Sequence, residues 1–237
     1  MTAEIHHQHR DVTGGWLRPA VFGVSDGLVS NLALIAGVAG GTSAANASGT
    51  SAIVLAGLAG LAAGAFSMAV GEYVSVASQT ELAKAEIETE RRELTHRPEA
   101  ELGELTRLYV DKGVDPELAA EVATQLSADP RRALDVHVRE ELGLDPADLP
   151  SPWTAAISSF LAFTVGAMVP LLPYLLGVTS LWPTVVVSMV ALFGVGVMVS
   201  RVTVRTWWYA GLRQMLLGGV AAAATHLFGT LVGSGLG

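Results

Sequence analysis

The sequence predicts an all-α membrane protein with five transmembrane helices and a helical domain inserted between the second and third. Three observations predict it. Of 237 residues, 51% are hydrophobic and only 15% charged, and the mean hydropathy is +0.46, outside the range usual for a soluble domain of this length. Segments 19–41, 52–77, 154–176, 182–200 and 207–232 are apolar and long enough to cross about 30 Å of hydrocarbon at about 1.5 Å per residue. The stretch 81–150 is instead dense in charge and reads as soluble. The expected organisation is a polar tail at 1–18, spans one and two within 19–80, the insert at 81–150, and spans three to five within 151–237.

The tail "MTAEIHHQHRDVTGG" has no apolar core before a small-residue cleavage site, so the first span is expected to direct insertion. Its "HHQH" has metal-binding side chains, but a solvated polar tail is the preferred account of it. Span one contains Asp26 and span two Glu72, and span two also carries Gly60 and Gly64, a small-residue pair that permits close helix approach. Span two has no stop signal at its end: "SQTELAKAEIETERRELTHR" continues with good helix formers and predicts one helix leaving the membrane into the insert. Asp115-Pro116, Asp129-Pro130 and Ser151-Pro152 pair an N-cap residue with proline at the first helical position, and Pro98 opens a helix after "LTHR". Pro170 and Pro173 should kink span three. His226 in span five reads as a hydrogen-bonded polar contact.

Arginine and lysine set the topology. Arg10 and Arg18 precede span one, Lys84 to Arg139 fall in the insert, and Arg201, Arg205 and Arg213 flank the link between spans four and five. With five spans all fourteen lie on one side, which the positive-inside rule makes cytosolic. The tail and insert are therefore expected in the cytosol. Twelve of the fourteen are arginine and no targeting extension is seen, which favours a bacterial plasma membrane over a vacuole. There is no cysteine, which excludes disulfides, thiolate metal sites and cysteine nucleophiles. The absence of an HExxH motif or a serine, histidine and acid set argues against an enzyme. The net charge of -8 sets nucleic acid aside as a partner.

Asp26 and Glu72 are the acidic residues inside the spans. Facing lipid, each would cost several kcal/mol, and neither of their own spans contains a lysine or arginine to pair with them, so each should face a cavity, a bundle interior or a partner. Asp26 lies eight residues beyond Arg18 and Glu72 nine before Glu81, which puts both roughly 12–14 Å deep. Met68, Glu72, Ser75 and Gln79 form a polar stripe along span two, and Ser30 lies one turn beyond Asp26. Met68 either packs or adds a thioether to the carboxylates, a ligand set suited to a borderline divalent transition metal. In the insert Glu86, Glu90 and Glu93 share a helix face, and Glu101 and Glu104 follow the turn at Pro98. A hairpin would oppose these faces, where carboxylates repel unless a cation lies between them. A solvated acidic face is the other reading.

The blocks "GGWLRPAVFGVSDGLVSNLALIAGV", "AGAFSMAVGEYVSVASQTEL" and "REELGLDP" resemble the vacuolar iron transporter family across nearly the whole chain. The resemblance implies a five-span subunit, a homodimer with the pathway at its two-fold interface, and a cytosolic metal-binding domain. It also implies export of Fe2+, and in some members Mn2+, by exchange for protons; Zn2+ and Co2+ are further candidate substrates, and no resident cofactor is expected. The family's pathway aspartate falls on Asp26 and its methionine on Met68, with Glu72 in the same block; its cytosolic glutamates fall on Glu90, Glu93, Glu101, Glu104 and Glu141. Where plant-type members have two methionines before the last glutamate, this chain has His137 and Val138, so an imidazole nitrogen replaces thioether sulfur in the expected set. A membrane-anchored metal buffer or sensor is the alternative reading.

Overall fold

Within hydrocarbon, backbone N–H and C=O groups have no water to bond, and a run of alanine, leucine and valine satisfies them only by coiling into an α-helix. The computed structural model describes residues 15–44, 49–201 and 205–236. It contains α1 (Leu17–Ala44), α2 (Thr50–His96), α3 (Pro98–Asp111), α4 (Pro116–Ser127), α5 (Pro130–Glu141), α6 (Pro152–Leu175), α7 (Leu181–Ser200) and α8 (Trp207–Leu236), with no strand among the described residues. Five of these, α1, α2, α6, α7 and α8, are long and apolar enough to cross a membrane. The "HHQH" segment lies outside the described residues.

The helices fall into two compact units, one comprising the described residues up to Val74 together with Pro152 onward, the other Ser75–Ser151. In the first, α1 is the central element, packed on α6, α7 and α8. Leu28, Leu32 and Ala36 of α1 meet Leu192 of α7 and Ala222 of α8 in one cluster. Ile35 joins Ile53 of α2 with Leu171 and Tyr174 of α6 in a second. Alpha-helices come this close only where a side chain is missing: a Cβ on Gly27 of α1 or Gly166 of α6 would run into the facing helix's backbone. The outer faces of α2 and α8 instead present large apolar side chains, among them Leu55, Phe66, Val70, Leu216, Val220 and Phe228. Such a surface belongs against lipid or another protein.

The second unit is fixed by its caps. The Asp115 carboxylate accepts from the amides of Glu117 (3.0 Å) and Leu118 (3.4 Å), and Asp129 accepts from Arg131 (2.9 Å), each ahead of a proline at the start of its helix. Helix α2 runs without a break past Val74 to His96, so the missing stop signal shows as one 47-residue helix. Pro170 and Pro173 lie inside α6.

Candidate metal centres

In the first unit, α1 and α2 bring polar groups to an open cavity of about 290 Å³. Asp26, Ser30 and Asn31 line it from α1, Ser67 and Met68 from α2, and Phe163 of α6 closes one side. Gly64 leaves the space that Phe163 fills, since a Cβ there would overlap the ring. The Ser30 hydroxyl donates to the Asp26 backbone carbonyl at 2.5 Å, so the Asp26 carboxylate is not used by it. A carboxylate, an amide and a thioether thus share one open space between apolar helices. His226 on α8 lies elsewhere in this unit, its Nδ1 2.9 Å from the Ala36 carbonyl, which therefore accepts a proton held on that nitrogen.

In the second unit, Glu90 from α2, Glu101 from the first turn of α3, and His137 with Glu141 from α5 converge. One ligand atom from each lies within 4.8 Å of all the others. His137 and Glu141 are four residues apart and share a helix face. His137 is fully buried, and its Nδ1 lies 2.8 Å from Glu141 Oε1, 3.0 Å from Glu90 Oε1 and 3.8 Å from Glu101 Oε2. One ring nitrogen carries one proton, so it serves one carboxylate: the Glu141 contact has hydrogen-bond geometry, while Glu90 Oε1 and His137 Nε2 are buried without a hydrogen-bond partner among the described residues. Opposite ligands on a first-row divalent ion held at about 2.1 Å stand about 4.2 Å apart, so a small contraction of this group closes it on a cation.

The charge balance points the same way. Burial, then repulsion from Glu141, pushes the Glu90 carboxyl up to about 7, against a partial opposing pull from His137. Burial, then Glu104, Glu101 and Glu93, raises Glu141 to about 7. Glu101 is also raised, by burial and then by Glu104. Carboxylates whose protons are held toward neutrality by burial, and then by their mutual repulsion, are ones that a divalent cation would ionise.

The VIT family profile matches residues 17–230. The chain belongs to the VIT family. A "Vacuolar iron transporter" of Acanthamoeba castellanii is 46% identical over 160 residues, 68% of this chain and 56% of that protein. "Vacuolar iron transporter 1" of Oryza sativa subsp. japonica is 34% identical over 226 residues, 93% of this chain and 87% of that protein; its Arabidopsis thaliana namesake is 32% identical over 231 residues, 96% and 90%. With five helices able to span a bilayer, this VIT-family chain is a multi-pass membrane protein.

Against the residues named from sequence, the geometry is selective. Asp26 and Met68 line the cavity, whereas Glu72, half-buried one turn along α2, is not among its lining residues. Ser75 and Gln79 are exposed, and Gln79 Nε2 donates to Ser75 Oγ at 3.3 Å. Glu90, Glu101, His137 and Glu141 form the four-residue group. Glu93 is half-buried and Glu104 exposed beside it, close enough to repel Glu141 and Glu101. Sequence reasoning passed over Asn31 and Ser67. A signal for Asn31 was available, since an amide within an apolar span demands a partner.

The raised carboxyls set a pH dependence. A metal must displace the protons on Glu90 and Glu141, so affinity of the full chain for Mn2+ in detergent should fall by roughly 10- to 100-fold from pH 7.5 to pH 6, as read by calorimetry. The metal-free protein has the opposite slope. Its unfolded carboxyls ionise near 4.5, so the stability these groups contribute is complete below that value and is lost as pH rises through about 7.

Proposed function

We propose that the protein exports divalent transition-metal ions from the cytosol, Fe2+ first and Mn2+ second, in exchange for protons, as a homodimer with its pathway at the two-fold interface. It acts as a transporter and carries out no enzymatic reaction. The observation that carries this reading is the cavity between α1 and α2, where Asp26 and Met68 offer a carboxylate and a thioether in a chain whose relatives are named vacuolar iron transporters. A hard oxygen beside a soft sulfur suits ferrous iron or manganese better than magnesium or calcium.

In this reading the unit formed by Ser75–Ser151 lies in the cytosol and captures metal with Glu90, Glu101, His137 and Glu141. Glu93 and Glu104 enrich cations around it. The face of α2 bearing Gln79, Ser75 and Glu72 leads metal to Asp26 and Met68, and carboxylates that bind either a proton or a metal supply the exchange. The tail faces the cytosol, and the membrane is a bacterial plasma membrane. Fe2+, Mn2+, Zn2+ and Co2+ uptake into proteoliposomes, with and without an acidic lumen, tests this. Fe2+ and Mn2+ should enter fastest, and faster when the lumen is acidic. The four-residue group by itself favours a second reading, a membrane-anchored buffer or sensor, which tight binding with no uptake of any of the four ions would establish instead.

A further inference from the structure

Asn31 is 2% exposed and stands on α1 five residues beyond Asp26. Its Nδ2 donates to the Ala167 carbonyl of α6 at 2.6 Å. That bond fixes the amide, because the swapped orientation would press two acceptor oxygens together. Oδ1 consequently points away from α6 and toward α2, where a methyl group built on Gly60 would meet it at 3.4 Å. It is buried there without a hydrogen-bond partner among the described residues. Asn31 and Gly60 both line the cavity that holds Asp26 and Met68.

A native protein keeps a buried carbonyl oxygen unpaired for a reason, and this one is held by one helix against Gly60, in the wall of a cavity that a carboxylate and a thioether also line. The geometry points to Asn31 Oδ1 as a ligand of the divalent cation in this cavity and as a determinant of which cation is taken. The carboxamide oxygen is hard and neutral, and it does not titrate. It favours manganese and ferrous iron over softer or more nitrogen-seeking ions without adding charge that would have to be neutralised in a low-dielectric site. The inference rests on the reading that metal passes through this cavity.

The test is transport by the full-length protein in proteoliposomes, comparing Mn2+ and Zn2+. Asn31→Leu keeps the branched side-chain skeleton and removes the oxygen; it should raise KM for Mn2+ about 10-fold and for Zn2+ by less than about 3-fold, as expected when a hard ligand is lost. Loss of the Ala167 bond alone would lower the maximal rate for both ions together and leave the ratio of their KM values unchanged. Asn31→Asp keeps an oxygen and should move the ratio the other way, toward Mn2+, which decides the matter if the leucine variant fails to fold. An unchanged Mn2+ to Zn2+ ratio in Asn31→Asp, or wild-type KM values in a folded Asn31→Leu, overturns the assignment. Asp26→Ala is run beside them. If it is inactive while the Asn31 variants behave as wild type, only the role of Asn31 falls; if it transports normally, the cavity is not the pathway and both readings fall.

Discussion

Proteoliposomes carrying Asp26→Ala should show metal uptake reduced by roughly 100-fold or more, close to that of empty liposomes. The cavity has one carboxylate among its lining residues, so the substitution leaves a divalent cation with only neutral ligands in a low-dielectric space. A factor of 100 corresponds to about 2.7 kcal/mol, modest for the loss of a charged partner away from bulk water. Met68→Ala should cost less, roughly 10-fold, because a thioether contributes softness without charge. Neither change touches Glu90, Glu101, His137 or Glu141, so high-affinity binding by the protein in detergent should persist. Measuring uptake and binding on the same preparation separates the two sites.

His137→Leu should weaken that binding by roughly 100-fold, since even residues that only support a ligand are worth 10- to 100-fold in affinity. Glu90→Gln should weaken it comparably, but with an opposite effect on the metal-free protein. Glu90 Oε1 is buried without a hydrogen-bond partner among the described residues, and its ionised form repels Glu141 and Glu101, so the amide should raise the thermal transition of the metal-free protein. Metal-induced stabilisation should meanwhile shrink by up to about 2.7 kcal/mol at a fixed saturating concentration. A purely packing role for Glu90 would move both quantities down together. Thermal shift with and without Mn2+ distinguishes these outcomes.

The fold was largely legible because its determinants are local. Length and hydropathy locate five spanning helices, the lack of a stop signal after Gln79 gives the continuous α2, and the Asp-Pro pairs at 115–116 and 129–130 start α4 and α5 where they cap them. The sites were less so. Spacing on one helix placed Glu90 with Glu93 and Glu101 with Glu104, but which glutamate of each pair turns inward depends on how α2, α3 and α5 pack. That packing buries Glu90 and Glu101, leaves Glu93 half-buried and leaves Glu104 exposed. His137 and Glu141 carry an i, i+4 signal readable from sequence, yet their convergence on an element nearly fifty residues earlier is not local. Asn31 was missed because its chemistry lies in its orientation: one end of the amide is held by α6, and the other is buried beside Gly60 in the cavity wall.

Metal and proton movement recorded together tests the central claim most directly. Wild-type protein in liposomes with an acidic lumen and an internal pH indicator, given Fe2+ or Mn2+ outside under reducing conditions, should accumulate metal while the lumen becomes less acidic. Both signals should be absent from Asp26→Ala. Metal bound tightly by the protein with no accumulation above empty liposomes and no change in luminal pH would contradict the account and leave a binding protein held in the membrane.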